Sequence, residues 1–406
     1  MTRHTPGASP YRRNIPRFYA YTFLTQLPLW SPIWVLYFTR EGMSLVQIGT
    51  LEFAAMVLLA LAEAPTGIVA DVWGRKVSLM IGAGMQAVAM ACILTQVLSP
   101  VFLVGYLLLG LSYSFISGAG DALVYDSLQS ADETGRFTHI ASRYAMIAQA
   151  AGGLAAVAGG IVAARDMRAC FLLTGVAAAL GMAVAVTFRE PPLGPEEPTH
   201  RPRFWQSLRA GAAIAAHDAR VRAILLMGAI VFLYAEFVWM SLLQPYGMSV
   251  GVPVWLFGGL LLMARLCRVA GAFLAPRLAG RVPRLRLISA AAGIMAGALL
   301  GLGLAASIPA LALIGVVSLA AAAVMPVLSA MLNDAIPSAR RATIISLQSL
   351  VSMLGLAVVQ WSFFALSDRV SAPFAAGVSG ILLIVLATPV LLALRHAQPA
   401  PAGPAL

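Results

Sequence analysis

Seven ionisable side chains lie inside long apolar runs of this sequence, where a charge has functional consequences. They are five acids and two arginines: Glu52, Glu63, Asp121, Asp126, Glu236, Arg265 and Arg268. Holding a charge in hydrocarbon costs several kcal/mol, so such residues are candidates for binding a proton or a solute. Burial favours the neutral acid and a nearby arginine favours the carboxylate, and a proton-coupled site needs that balance.

Glu236 forms the most suggestive combination, together with Arg265 and Arg268. Counted from the ends of their apolar runs, Arg265 lies near mid-depth, Arg268 one turn further inward and Glu236 slightly outward of the middle. Glu236 is therefore a candidate proton-coupling residue, with both arginines as candidate charge partners. In the structural alternative, the arginines only neutralise Glu236 and hold two neighbouring segments together.

The other acids divide into two groups. Asp121 and Glu63 are also candidate proton-coupling residues, each in the inner third of its run. Asp126 is expected to have a structural role at a helix end, near the arginines that follow it. Glu52 is expected to reach the outer surface of the membrane.

Aromatic side chains in the same runs are candidates to line a cavity for an apolar or cationic organic solute. This set consists of Trp34, Tyr37, Tyr113, Tyr234 and Trp361. Alternatively, some of them belong to the aromatic belts at the two membrane surfaces.

Motifs for other chemistry are missing from the sequence. It contains no phosphate-binding Walker loop, no HExxH or GxSxG motif and no dinucleotide-binding fingerprint. The three cysteines and five histidines have no metal-ligand spacing. We therefore expect no enzyme activity, no cofactor and no metal site.

The composition indicates which elements position these residues. Of 406 residues, 60% are hydrophobic and only 11% are charged, with a mean hydropathy of +0.86. A soluble, secreted or disordered chain is excluded, because so few charges cannot cover a folded surface in water. The formal charge of +11 is accordingly attributed to membrane topology and not to nucleic-acid binding.

Apolar runs of 18 or more residues predict about twelve membrane-spanning helices, since barrel strands would be shorter and alternate in polarity. The predicted spans are Phe18–Thr39, Leu45–Ala70, Val77–Leu98, Val101–Leu128, His139–Ala164, Ala169–Phe188, Val221–Gln244, Val254–Leu274, Leu285–Ala306, Ala310–Leu332, Thr343–Leu366 and Ala372–Leu394. A hydrophilic segment follows the sixth span. The chain is thus predicted to be an all-α membrane protein with two six-helix halves, residues 1–188 and 221–406. Residues 189–220 are predicted to form a cytoplasmic linker with a possible interfacial helix.

Basic residues predict the orientation. With the N-terminus in the cytoplasm, 21 of the 27 basic residues fall in cytoplasmic segments and four in outer loops. Both termini are therefore expected to be cytoplasmic, in the inner membrane of a bacterium. The N-terminal apolar run is too long for a cleaved signal peptide and is expected to remain as the first span.

The two halves contain a weak internal repeat. The junction after the fourth span reads YDSLQSADETGRFTHIASRYAMIAQ and the one after the tenth reads LNDAIPSARRATIISLQSLVSML. Each places an aspartate near a helix end, followed by basic residues and the next helix. Asp126 and Asp334 are therefore expected at corresponding positions in two pseudo-symmetric bundles.

The turn after the second span reads Gly67-Ile-Val-Ala-Asp71-Val-Trp-Gly74-Arg75-Lys76 and closely resembles the signature loop of the major facilitator superfamily. The resemblance implies the fold of that family and alternating access between two halves. It also implies that Asp71 latches the halves by meeting the start of the eleventh span. In physical terms, Gly67 is expected to allow close helix approach and Gly74 a tight turn. The second half keeps glycine and arginine here but lacks the aspartate.

Two further segments resemble a bacterial branch of the superfamily whose members are mostly labelled efflux proteins. They are Glu63-Ala-Pro65-Thr66 and Ser117-Gly118-Ala-Gly120-Asp121-Ala-Leu-Val-Tyr125-Asp126-Ser127. The fifth span has no Gly-Pro antiporter signature, so antiport does not follow from the resemblance.

The sequence as a whole predicts a secondary active transporter of a small organic molecule, working by proton-coupled efflux. The alternatives are an uptake permease and a membrane sensor or scaffold with the same fold. Its expected partners are a small-molecule substrate, protons and the lipid bilayer, with no nucleic acid, and a monomer is expected.

Overall fold

The computed structural model describes residues 10–192, 204–337 and 340–397, and the regular secondary structure in these ranges is helical. The prediction of an all-α protein is confirmed. The helices are α1 (Asn14–Thr25), α2 (Trp34–Arg40), α3 (Leu45–Trp73), α4 (Arg75–Ile93), α5 (Pro100–Gln129), α6 (Phe137–Ala163), α7 (Met167–Val186), α8 (Phe204–His217), α9 (Ala219–Phe237), α10 (Leu243–Ser249), α11 (Val254–Ala279), α12 (Arg284–Ala305), α13 (Ala312–Ala335), α14 (Arg341–Arg369) and α15 (Ala372–His396). A π-helical turn, Val238–Leu242, joins α9 to α10.

Eleven helical segments in the described part of the chain are long and apolar enough to cross a membrane. The prediction of one continuous first span, Phe18–Thr39, is wrong. That region contains two short helices, α1 and α2, with turns between them. Pro28 and Pro32 lie in the interval, and each removes an amide hydrogen and disfavours helical geometry in the residue before it.

The break between α1 and α2 is stabilised by neighbouring helices. The Leu29 amide donates a hydrogen bond to Oγ1 of Thr174 on α7 at 3.0 Å. Nε2 of Gln86 on α4 donates to the Thr25 carbonyl at 3.3 Å, where α1 ends. Gly159 on α6 lies so close to the Leu29 backbone that a Cβ there would collide with it. Irregular backbone inside a membrane protein needs such partners, because lipid offers none.

Polar residues at their first turns define where several spans begin. Ser44 caps α3, and its own amide is bonded by the Gln47 side chain, which completes a capping box. Ser99 caps α5 directly before a proline, and Asp166 caps α7. Asp218 caps α9 with hydrogen bonds to two backbone amides.

The chain divides into two compact units. The N-terminal unit contains α1 to α7 together with Pro253–Gly259, which includes the first residues of α11. Its core includes Phe18, Tyr21, Leu79 and Phe188, all nearly inaccessible to solvent. The C-terminal unit contains α8 to α10, the rest of α11 and α12 to α15. In this unit, α8 packs against α14 at Gly211. That α8 lies at the membrane surface stays a prediction.

Corresponding helices have corresponding neighbours within each unit. In the N-terminal unit, α4 packs against α5 and α7, and α1 packs against α5, α6 and α7. In the C-terminal unit, α12 packs against α13 and α15, and α9 packs against α13, α14 and α15. The patterns agree when α1 and α9 are each taken as the start of a six-span set, as expected for an internal repeat.

The break in the first span predicts a specific sensitivity at Thr174. Thr174→Val keeps the shape of the side chain but leaves the buried Leu29 amide without its acceptor, which we expect to lower the free energy of unfolding by about 1–3 kcal/mol. Thermal unfolding of the purified protein in detergent measures the effect. Thr25→Val is the matched control, because that hydroxyl is also buried but, among the described residues, bonds only to the Tyr21 carbonyl in its own helix. Equal losses for both variants would contradict this interpretation.

Candidate functional site

The C-terminal unit contains a cluster of charges around Glu236. Oε1 of Glu236 lies 2.8 Å from Nη2 of Arg268. Oε2 accepts a hydrogen bond from Nε1 of Trp239 at 2.9 Å, one turn along the same helix. The guanidinium of Arg265 lies over the Trp239 ring, 5.6 Å from its centroid. The structure thus brings Glu236 and Arg268 together directly, and Arg265 joins them through an aromatic ring.

Burial differs between the two ends of this ion pair. The Glu236 side chain is 14% exposed, whereas that of Arg268 is 37% exposed. Each carboxylate oxygen of Glu236 therefore has its own donor in a largely enclosed position, and the arginine remains partly accessible.

The π-helical turn, Val238–Leu242, follows Glu236 by two residues. Such turns are rare and are frequently found at functional sites. Trp239 lies within the turn, as does Ser241, whose buried hydroxyl has no hydrogen-bond partner among the described residues. On α14, both amide atoms of the buried Gln360 also have no partner there. Buried polar atoms of this kind normally bind water or a ligand.

A second polar cluster, in the N-terminal unit, involves Glu52. That Glu52 reaches the outer surface of the membrane stays a prediction. Glu52 is the eighth residue of α3, roughly 10 Å along the helix from its start. Its Oε1 accepts a hydrogen bond of 2.5 Å from the Tyr106 hydroxyl on α5. Tyr113, one of the predicted cavity residues, lies near Glu52 and Gln86, and Gln86 bonds to the end of α1.

The remaining acids are distributed along α3 and α5. Asp121 lies on an exposed part of α5 and accepts a hydrogen bond from the Tyr144 hydroxyl on α6. Asp126 lies 3.7 Å from Nε of Arg75. Its expected position near the arginines that follow it in sequence stays a prediction. The side chain of Glu63 lies outside the described residues.

The signature loop is built around Gly74 and Arg75. Gly74 has a φ of +98°, so the prediction of a tight turn that needs glycine is confirmed. Nη1 of Arg75 donates to Oδ1 of Asp71 at 2.5 Å, and the same side chain reaches Asp126. A Cβ added at Gly67 would meet no described atom within 4 Å, and the role of Gly67 in close helix approach stays a prediction. The proposed role of Asp71 as a latch remains a prediction.

Glu190 also contacts the signature loop, and this contact was not predicted from the sequence. Its carboxylate accepts hydrogen bonds from the backbone amides of Arg75 at 2.6 Å and Lys76 at 2.8 Å, at the start of α4. The preceding residue, Arg189, is bonded through its backbone N–H and C=O to the side chain of Asn14. The available sequence signal was an acid directly after a span, but its partners lie more than 110 residues away.

The C-terminal unit has an equivalent pair of charges. Arg284, the first residue of α12, lies 3.0 Å from Asp334 near the end of α13. In the N-terminal unit, Arg75 at the start of α4 faces Asp126 near the end of α5. Asp126 and Asp334 therefore occupy comparable helix ends, as the repeat predicts.

Most of the candidate cavity aromatics are buried within their own units. The side chains of Trp34 and Tyr37 are 4% and 3% exposed, and Tyr37 packs against Phe171 with ring centroids 4.8 Å apart. The buried Tyr234 donates a hydrogen bond to the Ser379 carbonyl. Trp361 is 41% exposed. A role for these residues in lining a cavity stays a prediction.

Comparisons with known proteins agree with this architecture. Residues 19–359 match the sequence profile of the Major Facilitator Superfamily. Among solved structures, the nucleoside transporter NupG is similar with a TM-score of 0.75 and 12% identity, covering 95% of this chain and 99% of that one. A bacterial homologue of the human lysosomal transporter Spinster has a TM-score of 0.72 and 16% identity, covering 98% and 100%. A D-xylose–proton symporter has a TM-score of 0.67 and 17% identity, covering 98% and 99%. Comparison with curated protein sequences gave no match.

The contact of Glu190 with the start of α4 predicts a loss of stability on its removal. Glu190→Ala leaves two backbone amides without their acceptor and removes a negative charge from a helix N-terminus, so we expect a decrease of about 1–2 kcal/mol in the free energy of unfolding. Melting temperatures in detergent report the change. Glu41→Ala, which truncates an exposed acid at the end of α2, is the control. Unchanged melting of Glu190→Ala would show that the cap contributes nothing.

Proposed function

Because the chain belongs to the Major Facilitator Superfamily, it is a transmembrane transporter rather than an enzyme, and we propose that it exports a small organic molecule by proton-coupled alternating access. Glu236 is the proposed proton-coupling residue. The observation that carries this proposal is its pair of contacts, with a partly exposed arginine on one oxygen and a tryptophan on the other.

The coupling step follows from the charges. With Glu236 ionised, it forms a neutral pair with Arg268 and links α9 to α11. Protonation of Glu236 removes that attraction, and the Arg268 charge is then available to solvent or to a polar group of the substrate. The π-helical turn next to Glu236 gives α9 a place to adjust its geometry. A proton thereby changes the contact between two helices, which is what a transport cycle requires.

The proposal also specifies the direction of transport, which is outward. Outward transport rests on the resemblance of the segments around Glu63 and Asp121 to an efflux branch. The similar D-xylose–proton symporter supports the alternative of proton-coupled uptake. Asp121 is the second candidate for coupling, since it lies on an exposed part of α5 with a single tyrosine donor identified.

The placement in the cell is also proposed. The excess of arginines on one side of the predicted spans supports cytoplasmic termini in a bacterial inner membrane. In the outward-facing state, Asp71 is proposed to meet the start of α14, where the N-terminal end of the helix attracts a carboxylate. The protein is proposed to act as a monomer.

Glu236→Gln separates coupling from a structural role. A coupling residue fixed in a neutral form would keep substrate exchange but lose accumulation driven by a pH gradient. Loss of a structural ion pair would instead leave Arg268 uncompensated and lower stability by about 3–5 kcal/mol. Transport into vesicles across a compound panel and melting temperature should be measured on the same preparation.

Two variants control this experiment. Asp334→Asn breaks an exposed arginine–acid pair in the same unit and should affect neither transport nor melting. The double variant Glu236→Gln/Arg268→Gln should regain stability if the pair is only structural. Undiminished proton-driven transport by a well-folded Glu236→Gln protein would reject the proposal and direct attention to Asp121.

Asp71→Asn tests the latch. Loss of the charge would weaken the outward-facing state by about 0.3–1 kcal/mol, or up to about 2 kcal/mol if the contact is partly buried. Labelling from the cytoplasmic side of a cysteine introduced at Ser117, on the exposed part of α5 that also carries Asp121, should then become faster. Asp132→Asn is the control, because Asp132 is exposed in a left-handed conformation that asparagine tolerates. Equal labelling rates with and without the Asp71→Asn substitution would count against the latch.

A further inference from the structure

Two adjoining cavities flank the first turns of α1 in the N-terminal unit. One, of about 200 Å³, lies between α1, the end of α5 and the start of α6, and three arginines line it: Arg12, Arg136 and Arg143. The other, of about 600 Å³, lies between α1 and α7, and its walls are almost entirely apolar, including Leu24, Leu180 and Val184. Pro16 lines both cavities, so they meet at this residue.

The small cavity has a net positive charge. In the described part of the chain its only acidic lining residue is Glu133, which forms ion pairs with Arg12 and with Arg136. Arg143 has no ion-pair partner among the described residues. Three arginines against one glutamate leave an excess of two positive charges. The first turn of α6 begins at Phe137, directly after Arg136, and adds the positive end of its helix dipole.

The wall of the small cavity is also partly apolar. Ile15, Tyr19, Leu128 and Ile140 line it beside the arginines. Beyond Pro16, the larger groove continues this apolar surface along α1 and α7. A basic pocket that adjoins an apolar groove at Pro16 matches a molecule with an anionic head and a hydrocarbon tail. A freely soluble anion would occupy only the basic pocket.

We propose that these two cavities bind one anionic phospholipid, with its phosphate among Arg12, Arg136 and Arg143 and an acyl chain along the groove between α1 and α7. Guanidinium groups donate charge-assisted hydrogen bonds to phosphate oxygens. Basic pockets between membrane helices are suited to anionic head groups for the same reason. The site is separate from Glu236 and the signature loop, and the proposal does not depend on the direction of transport.

A bound lipid would also stabilise the N-terminal unit. It contacts α1, α5, α6 and α7 at once, and α1 ends at the break that Thr174 and Gln86 support. Occupancy should therefore stabilise the N-terminal unit, because a ligand that binds only the folded state raises the stability of that state.

The experiment uses the purified full-length chain in detergent, titrated with phosphatidylglycerol, phosphatidylcholine or inorganic phosphate. Native mass spectrometry counts bound lipid, and melting temperature reports stabilisation. We expect one retained phosphatidylglycerol with a raised melting temperature, and much weaker retention of phosphatidylcholine. Arg136→Gln/Arg143→Gln should reduce phosphatidylglycerol affinity roughly thirtyfold, from the loss of two charges. Arg284→Gln/Arg286→Gln, which removes two arginines from the C-terminal unit, should leave it unchanged.

Two further variants test the basic pocket and the apolar groove separately. Arg143→Gln alone disturbs no described ion pair, so it tests the pocket if the double variant does not fold. Ala183→Trp should fill the apolar groove and weaken phosphatidylglycerol binding while leaving the basic pocket intact. Stabilisation by inorganic phosphate equal to that by the lipid would identify a site for a free anion and overturn the proposal. Equal binding by the wild-type protein and the double variant would also overturn it.

Discussion

Inside a hydrocarbon layer, a charge or a backbone N–H group is stable only when it finds a partner within the protein, and this constraint explains most of the polar contacts described above. The break between α1 and α2 exposes backbone groups, and side chains from α4 and α7 bond to them. Glu52 is bonded by Tyr106, and Glu236 by Arg268 and Trp239. Each unit therefore contains at least one acid within a span that is held by residues of neighbouring turns or helices.

The two acids have different kinds of partners, and this difference has functional meaning. Glu236 has an arginine as its counter-ion, so its ionised form is compensated locally. The identified donor to Glu52 is a neutral tyrosine hydroxyl. A site that alternates between ionised and neutral forms needs compensation in the ionised form, and that favours Glu236 as the residue that exchanges a proton. Glu52 is better suited to holding α3 against α5.

Much of this organisation could be predicted from local sequence. Apolar runs predict the long helices, and the signature loop predicts Gly74 with its positive φ, because both signals lie within a short stretch of chain. Pro28 and Pro32 could have indicated the break between α1 and α2. They lie within an apolar run that is long enough for one span, and the run was therefore predicted to be continuous. The contacts of Glu190 and Glu52 could not be predicted, because their partners lie 115 and 54 residues away and depend on how helices pack. The pairing of Glu236 with Arg268 was predictable, because the two residues lie at similar depth in consecutive apolar runs.

We propose that Glu236 gains and loses a proton while the protein stays folded. Infrared difference spectroscopy of the purified protein across a pH series detects this directly, through the carbonyl stretch of a protonated carboxylic acid. A band that rises as the pH falls is expected in the wild-type protein, and it should be missing in Glu236→Gln at the same pH values. Identical pH-dependent spectra for the two proteins would contradict the claim, because the titrating acid would then be another residue.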